Sequence, residues 1–205
     1  MSGAAVPCVV LRAAQRAAVP WKNGGGLTRE VAAHPAGSGF GTFDWRISIA
    51  EVAAPGPFSL FPGIERRMAL LAGRLALRIE GRAPVTLTPE SPAIAFSGDV
   101  PAFGEPQDGP VTDLNLMTRR ARCVAELSRH ELRSPVALTG TAGATLLLVA
   151  LCEQSVVCQD TVHELARLDA VLLPPGSPAL TVAARGPASF HLADIRPCAA
   201  AGAGG

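Results

Sequence analysis

Hydrophobic and polar residues alternate with a period of two through most of this chain. In "DWRISIAEV" (44–52), Trp45, Ile47 and Ile49 fall on one face and Arg46, Ser48 and Ala50 on the other, which is the pattern of a β-strand. "RMALLAGRLALRIEG" (67–81) is rich in Ala and Leu, yet Leu75, Leu77 and Ile79 alternate with Arg74, Ala76, Arg78 and Glu80. Ala72-Gly73 sits where a two-residue hairpin turn belongs, so two strands are predicted there. "VTLTP", "AIAFSG", "TDLNLMT", "ATLLLVALC", "SVVC", "AVLLPPG", "ALTVAA" and "SFHLADI" continue the series, separated by Pro, Gly, Ser or Asp. Helix is minor; "LRAAQRAA" supplies a turn or two at most. Many short strands at this spacing predict an all-β sandwich or barrel.

The pattern also echoes itself. "ALRIEGRAPVTLTPESPAIAFSGDVPA" and "LVALCEQSVVCQDTVHELARLDAVLLPPGSPA" share one plan. In each, an apolar strand, a turn and a second short strand lead to an alternating run with a Gly-Asp or Leu-Asp step and a Pro-containing turn. Two similar halves are expected, one over 1–120 and one over 121–198, with 199–205 as a disordered tail.

Composition narrows the class. With 48% hydrophobic and 17% charged residues the chain has enough apolar surface to fold, and 18 prolines and 21 glycines argue against long helices. A net charge of +1 with scattered arginines argues against direct nucleic-acid binding, which needs a basic face. "ATLLLVALC" (144–152) is about half of a membrane span, and the N-terminus lacks a secretory pattern, so a cytoplasmic protein with no membrane partner is expected. Five cysteines without a CxxC pair read as reduced thiols.

Three strand-like stretches carry polar residues two apart: Thr28 and Glu30, Arg46 and Ser48, Asp113 and Asn115. Each pair shares one face of its strand, and three such faces could line one pocket mouth or simply face solvent. "PWKNGGG" (20–26) holds the lone lysine of a chain whose other basic residues are arginines. A turn explains Asn23 and the glycines but not Trp21 and Lys22. A lysine beside glycine-rich backbone suits an anionic group such as a carboxylate; neither phosphate-loop pattern is present. The four histidines stand apart, with no metal-ligand spacing. No nucleophile signature occurs, and the chain has no tyrosine.

"WKNGGGLTREV" (21–31), "FDWRISIAEVAAPGPFSLFPGIERRMALLAG" (43–73), "FSGDVP" (96–101) and "GPVTDLNLMTRR" (109–120) together resemble the HutD/Ves family. The resemblance implies a bicupin, two small antiparallel, jelly-roll-like β-barrels of cupin type with little helix. "LARLDAVLLPPG" (165–176) is similar to the second cupin motif, with Leu168 in place of its glycine. Metal-binding cupins take two His and a Glu from the region matching "GPFSLFPGIERRMALLAGRLALRIEG", which here contains no histidine. No metal and no cofactor are therefore expected.

By resemblance the family is tied to bacterial histidine utilisation, as a restraint on the pathway and not as one of its enzymes. Its small carboxylate intermediates fit the polar set. Lys22 and Arg46 are assigned the carboxylate, and Asn23, Asp113 and Asn115 the ligand's nitrogen end. Glu30 joins them or holds Lys22, Thr28 and Ser48 share the polar faces, and Trp21 and Phe61 supply apolar walls. Two other readings stay open. One is a metal-independent cupin enzyme, an isomerase or hydrolase using Glu30 or Asp113 as base. The other is a structural or protein-binding role, which predicts no pocket. An isologous homodimer is the default assembly.

Overall fold

The computed structural model describes residues 6–21, 24–183 and 188–198. Alternation with a period of two favours strands over helices even where Gly and Pro are sparse, and the described residues form seventeen strands with one 3-10 turn at Ala13–Gln15. In chain order the first nine are β1 (Val9–Leu11), β2 (Ala18–Pro20), β3 (Gly26–His34), β4 (Trp45–Val52), β5 (Gly56–Pro57), β6 (Ile64–Ile79), β7 (Val85–Leu87), β8 (Ile94–Ser97) and β9 (Ala102–Arg119). Then come β10 (Cys123–Leu132), β11 (Val136–Leu138), β12 (Thr145–Ala150), β13 (Gln154–Cys158), β14 (Thr161–Leu165), β15 (Ala170–Leu173), β16 (Leu180–Ala183) and β17 (Ala188–Pro197).

The strands divide into two units. One comprises the described residues from Arg16 to Val124; the other joins those up to Gln15 to those from Ala125 onward. The division at 120/121 therefore misplaces the first strand: β1 pairs antiparallel with β15, Val10 opposite Val171, and belongs to the second unit. The tail 199–205 lies outside the described residues.

The first unit is organised by β6 and β9, which are far longer than an ordinary strand. Their outer arms pair Ile64–Ala72 with Thr112–Arg119, and their inner arms pair Arg74–Ile79 with Ala102–Gln107. Between the arms the register shifts at Leu70, Ala72 and Arg74, and Gly73 takes φ 83°. The expected hairpin at Ala72-Gly73 is thus a β-bulge. Both arms keep the same partner, so the left-handed glycine bends the strand and does not reverse it. The bend carries the pair from one layer, β2-β3-β4-β9-β6-β8, into a second, β5-β9-β6-β7. Between the layers lie Met68, Leu70, Leu75, Leu77, Leu87, Phe96 and Val111, all buried.

The second unit packs the sheet β1-β15-β12-β17-β10 on the sheet β11-β16-β13-β14. Leu146, Leu148, Val171 and Phe190 meet Val156, Leu165, Leu180 and Val182 in an apolar core. The fold is all-β and cupin-like, but the expected barrels are sandwiches whose sheets remain open. Asp99 and Asp169 repeat one job in the two units. Asp99 accepts from Gly63 N, and Asp169 accepts from Ala13 N at 2.7 Å and Arg12 Nη1 at 2.7 Å. Leu168, in the glycine's place, does take the left-handed conformation, φ 69°.

Candidate functional site

Register explains why polar residues far apart in sequence converge. Across β3, β4, β9 and β6, Glu30 lies opposite Ser48, Ser48 opposite Asn115, and Asn115 opposite Met68. One step along, Arg46 lies opposite Met117 and Met117 opposite Arg66. Side chains two apart point the same way, so these rows share one face of the outer layer. That face forms the floor of a cavity of about 910 Å³. Its walls include Trp21, Phe40, Phe58 and Phe61.

Among the expected site residues, Thr28, Glu30, Arg46, Ser48 and Asn115 line the cavity, and so do Trp21 and Phe61. Lys22 and Asn23 lie outside the described residues. Asp113 does not reach the cavity surface: it is fully buried behind Asn115, between Ala50 of β4 and Leu70 of β6. The reading that predicts no pocket is not the one this geometry favours.

Two guanidinium groups dominate the floor. Arg46, 8% exposed, donates from Nε to Glu30 Oε2 at 2.8 Å and from Nη1 to Ser48 Oγ at 3.2 Å, with its cation 4.8 Å from the Phe40 ring centre. Arg66, 5% exposed, donates from Nη2 to Asn115 Oδ1 at 2.8 Å. It lies 5.0, 5.9 and 4.9 Å from the ring centres of Phe58, Phe61 and Phe96. Its Nε has no hydrogen-bond partner, and no carboxylate lies within ion-pair distance of it among the described residues. Asn115 turns its amide the other way and donates to Asp113 Oδ1, while Asp113 Oδ2 has no partner.

Burial acts in opposite directions on this pair. It pushes the Asp113 carboxyl up to about 7 against the pull of the Arg66 charge. It brings Arg66 down to about 10, with Asp113 opposing. The floor is thus cationic, with Glu30 matching Arg46 and only a part-time anion near Arg66.

Arg66 is a site residue that the paired polar faces do not single out, although the sequence carries a signal for it. Ile64, Arg66, Met68 and Leu70 occupy one face of β6, so Arg66 is a lone charge on an apolar stripe. The site's donor set suits an anion. Among the described residues no group of three or more His, Cys, Asp and Glu comes together, and two cavity-floor cations would repel a metal ion.

The glycines of the heptapeptide have separate tasks. Trp21 N bonds Gly26 O at 2.9 Å and Gly24 N bonds Trp21 O at 3.0 Å, closing the turn, while Trp21 Nε1 donates to Thr28 Oγ1 at 2.8 Å. A Cβ on Gly26 would fall 2.2 Å from the Glu51 carbonyl oxygen and 3.3 Å from the Trp21 ring. Gly26→Ala is therefore expected to lower stability by about 2 kcal/mol. A urea denaturation series checks it, and an unchanged midpoint would show that the turn yields without loss.

Comparison with known proteins gives a consistent result. The profile of the HutD family matches residues 13–191. A protein named Ves from Citrobacter koseri is 41% identical over 109 residues, 52% of this chain and 56% of its own length; the chain thus spans little more than half of that relative. A 21.2 kDa protein in the hutC 3′ region of Pseudomonas putida is 35% identical over 142 residues, 69% of this chain and 73% of that one. The structure of HutD from Pseudomonas fluorescens, described for a formate condition, superposes with TM-score 0.78 at 27% identity, covering 94% of this chain and 100% of that one. An Escherichia coli pirin, TM-score 0.66 at 12% identity over 93% and 99% of the two chains, shares the fold alone.

Proposed function

The chain belongs to the HutD family, and from that premise we propose that its first unit is a receptor for a small carboxylate. The family is associated with histidine-utilisation loci. In this reading the protein is a cytoplasmic regulator of that pathway, working by ligand binding and without contacting DNA. The observation that carries it is Arg66, a nearly buried cation on the cavity floor with an unpartnered Nε and no ion-pair partner among the described residues. A cation held away from water favours an anion that brings its own hydrogen-bond acceptors. Arg46, Ser48 and Asn115 offer further polar contacts, and Phe40, Phe58 and Phe61 supply apolar walls.

The enzymatic alternative is less well supported by the same geometry. Asp113 is off the cavity surface, and Glu30 is engaged with Arg46 at 2.8 Å. Neither stands free to take a proton from a bound ligand. Incubation with a panel of two- to six-carbon carboxylates, with and without an imidazole or amide nitrogen, tests the point. Thermal stabilisation without a new product in the mass spectrum is expected, and turnover of any panel member overturns the binding-only reading.

Lys22 keeps its assigned role as a second point charge for the ligand. Lys22→Arg should then weaken the best panel member about fivefold, because a planar fork does not replace a compact ammonium. Equal affinity of the two proteins by calorimetry removes Lys22 from the site.

A further inference from the structure

We propose that Asp113 sets the charge of the anion this cavity accepts: it balances Arg66 in the ligand-free protein and takes up one proton when a singly charged carboxylate binds at Arg66. The proposal rests on the receptor reading above and adds to it a selection rule. Three observations on neighbouring strands carry it. Arg66 of β6 and Asp113 of β9 face the same interior, both nearly or fully buried, with Asn115 bonded to each. Each also keeps one polar atom unpartnered, Nε on Arg66 and Oδ2 on Asp113. Asp113 stands behind the cavity floor, where it can feel a ligand's charge without touching the ligand.

The charge count follows. Glu30 already matches Arg46. A ligand carboxylate arriving at Arg66 would place two carboxylates about one guanidinium in a site with little water. Like charges so placed do not both stay ionised, and the more deeply buried one takes the proton. The solvent proton goes to Asp113 Oδ2, the atom with no other partner.

Other groups around Asp113 do not supply the same switch. β4 presents Ala50 and Ser48 to this side, with Arg46 beyond them, and β6 presents Leu70 and Met68 with Arg66. β3 adds Thr28 and Glu30, the latter held by Arg46. His34 stacks on Trp45, on the opposite face of the sheet. Asp113 itself, pushed up to about 7 by burial, is poised to change protonation near neutrality, while Arg66 at about 10 stays charged.

Butyrate is the probe, because it does not itself titrate between pH 6 and pH 8.5. Calorimetry of the wild-type protein in two amine buffers of different ionisation heat is expected to show uptake of close to one proton at pH 8 and little at pH 6. Affinity should fall about twentyfold between pH 6 and pH 8.5. In Asp113→Asn, which mimics the protonated acid, affinity should stay level across that range and no proton should be taken up. A wild-type affinity that changes less than twofold, or pH dependence retained in the variant, overturns the proposal while leaving the receptor reading in place. The uptake measurement needs no variant, so a poorly folded Asp113→Asn would not shield the proposal. Failure of butyrate to bind at either pH overturns the proposal, and the receptor reading falls with it when no member of the carboxylate panel binds.

Discussion

Asp113→Asn is expected to make the protein more stable at neutral and alkaline pH and to flatten its stability profile above pH 4. Burial raises the folded-state carboxyl from its ordinary 3.8 to about 7. Below pH 4 the acid is protonated in both states, and the favourable contribution is fully present. As pH climbs toward 7 the unfolded chain releases the proton that the folded protein retains, so stability drops with rising pH and the contribution is gone above 7. The separation corresponds to about 4 kcal/mol, and the amide should recover about 2–4 kcal/mol of it at pH 8. His191 bends the profile the other way, since burial and the nearby Arg129 charge bring it down to about 4, which removes stability as pH falls from about 6.5. That group is common to both proteins and cancels in their difference. Urea denaturation of the pair at intervals from pH 4 to pH 8 reads the difference directly. Parallel profiles would mean that Asp113 is not held protonated.

Arg66→Met is expected to reduce carboxylate affinity at least about a hundredfold while leaving stability unchanged or raised. The loss follows from removing the least compensated cation of the cavity floor. The stability result is what separates this from simple damage. Phe58, Phe61 and Phe96 surround the guanidinium, and a flexible thioether packs well among aromatic rings. Exchange of a buried cation for an apolar side chain also removes a desolvation penalty. Asp113, deprived of the charge that pulled it down, holds its proton to higher pH, so no buried anion is left uncompensated near neutrality. Calorimetry and thermal denaturation on one preparation give both numbers. Wild-type affinity in the variant would show that the ligand is held elsewhere.

Alternation with a period of two makes much of the site legible in the amino-acid sequence itself. The pairs Thr28/Glu30, Arg46/Ser48 and Asp113/Asn115 each need only a strand to share a face, and the sheet register then lays those faces side by side. Partnering is not legible in the same way. Ala72-Gly73 satisfies a hairpin turn and a bulge equally well, and only β9, continuous past both arms of β6, decides between them. β1 offers three residues whose partner lies some 160 positions on, a separation no local pattern encodes. Arg66 is obscured because adjacent Arg67 makes the pair look like a surface patch, whereas period-two reading puts them on opposite faces. Asp113 shows its strand face but not its depth, since depth depends on Asn115 standing in front of it.

The most direct measurement is a crystal soaked in 3-bromopropionate, with the bromine located by its anomalous scattering. A carboxylate receptor predicts bromine inside the first unit's cavity, with the carboxylate oxygens about 3 Å from the guanidinium nitrogens of Arg66 or Arg46. Bromine absent from the cavity, or a carboxylate there that faces solvent and touches neither arginine, would contradict it.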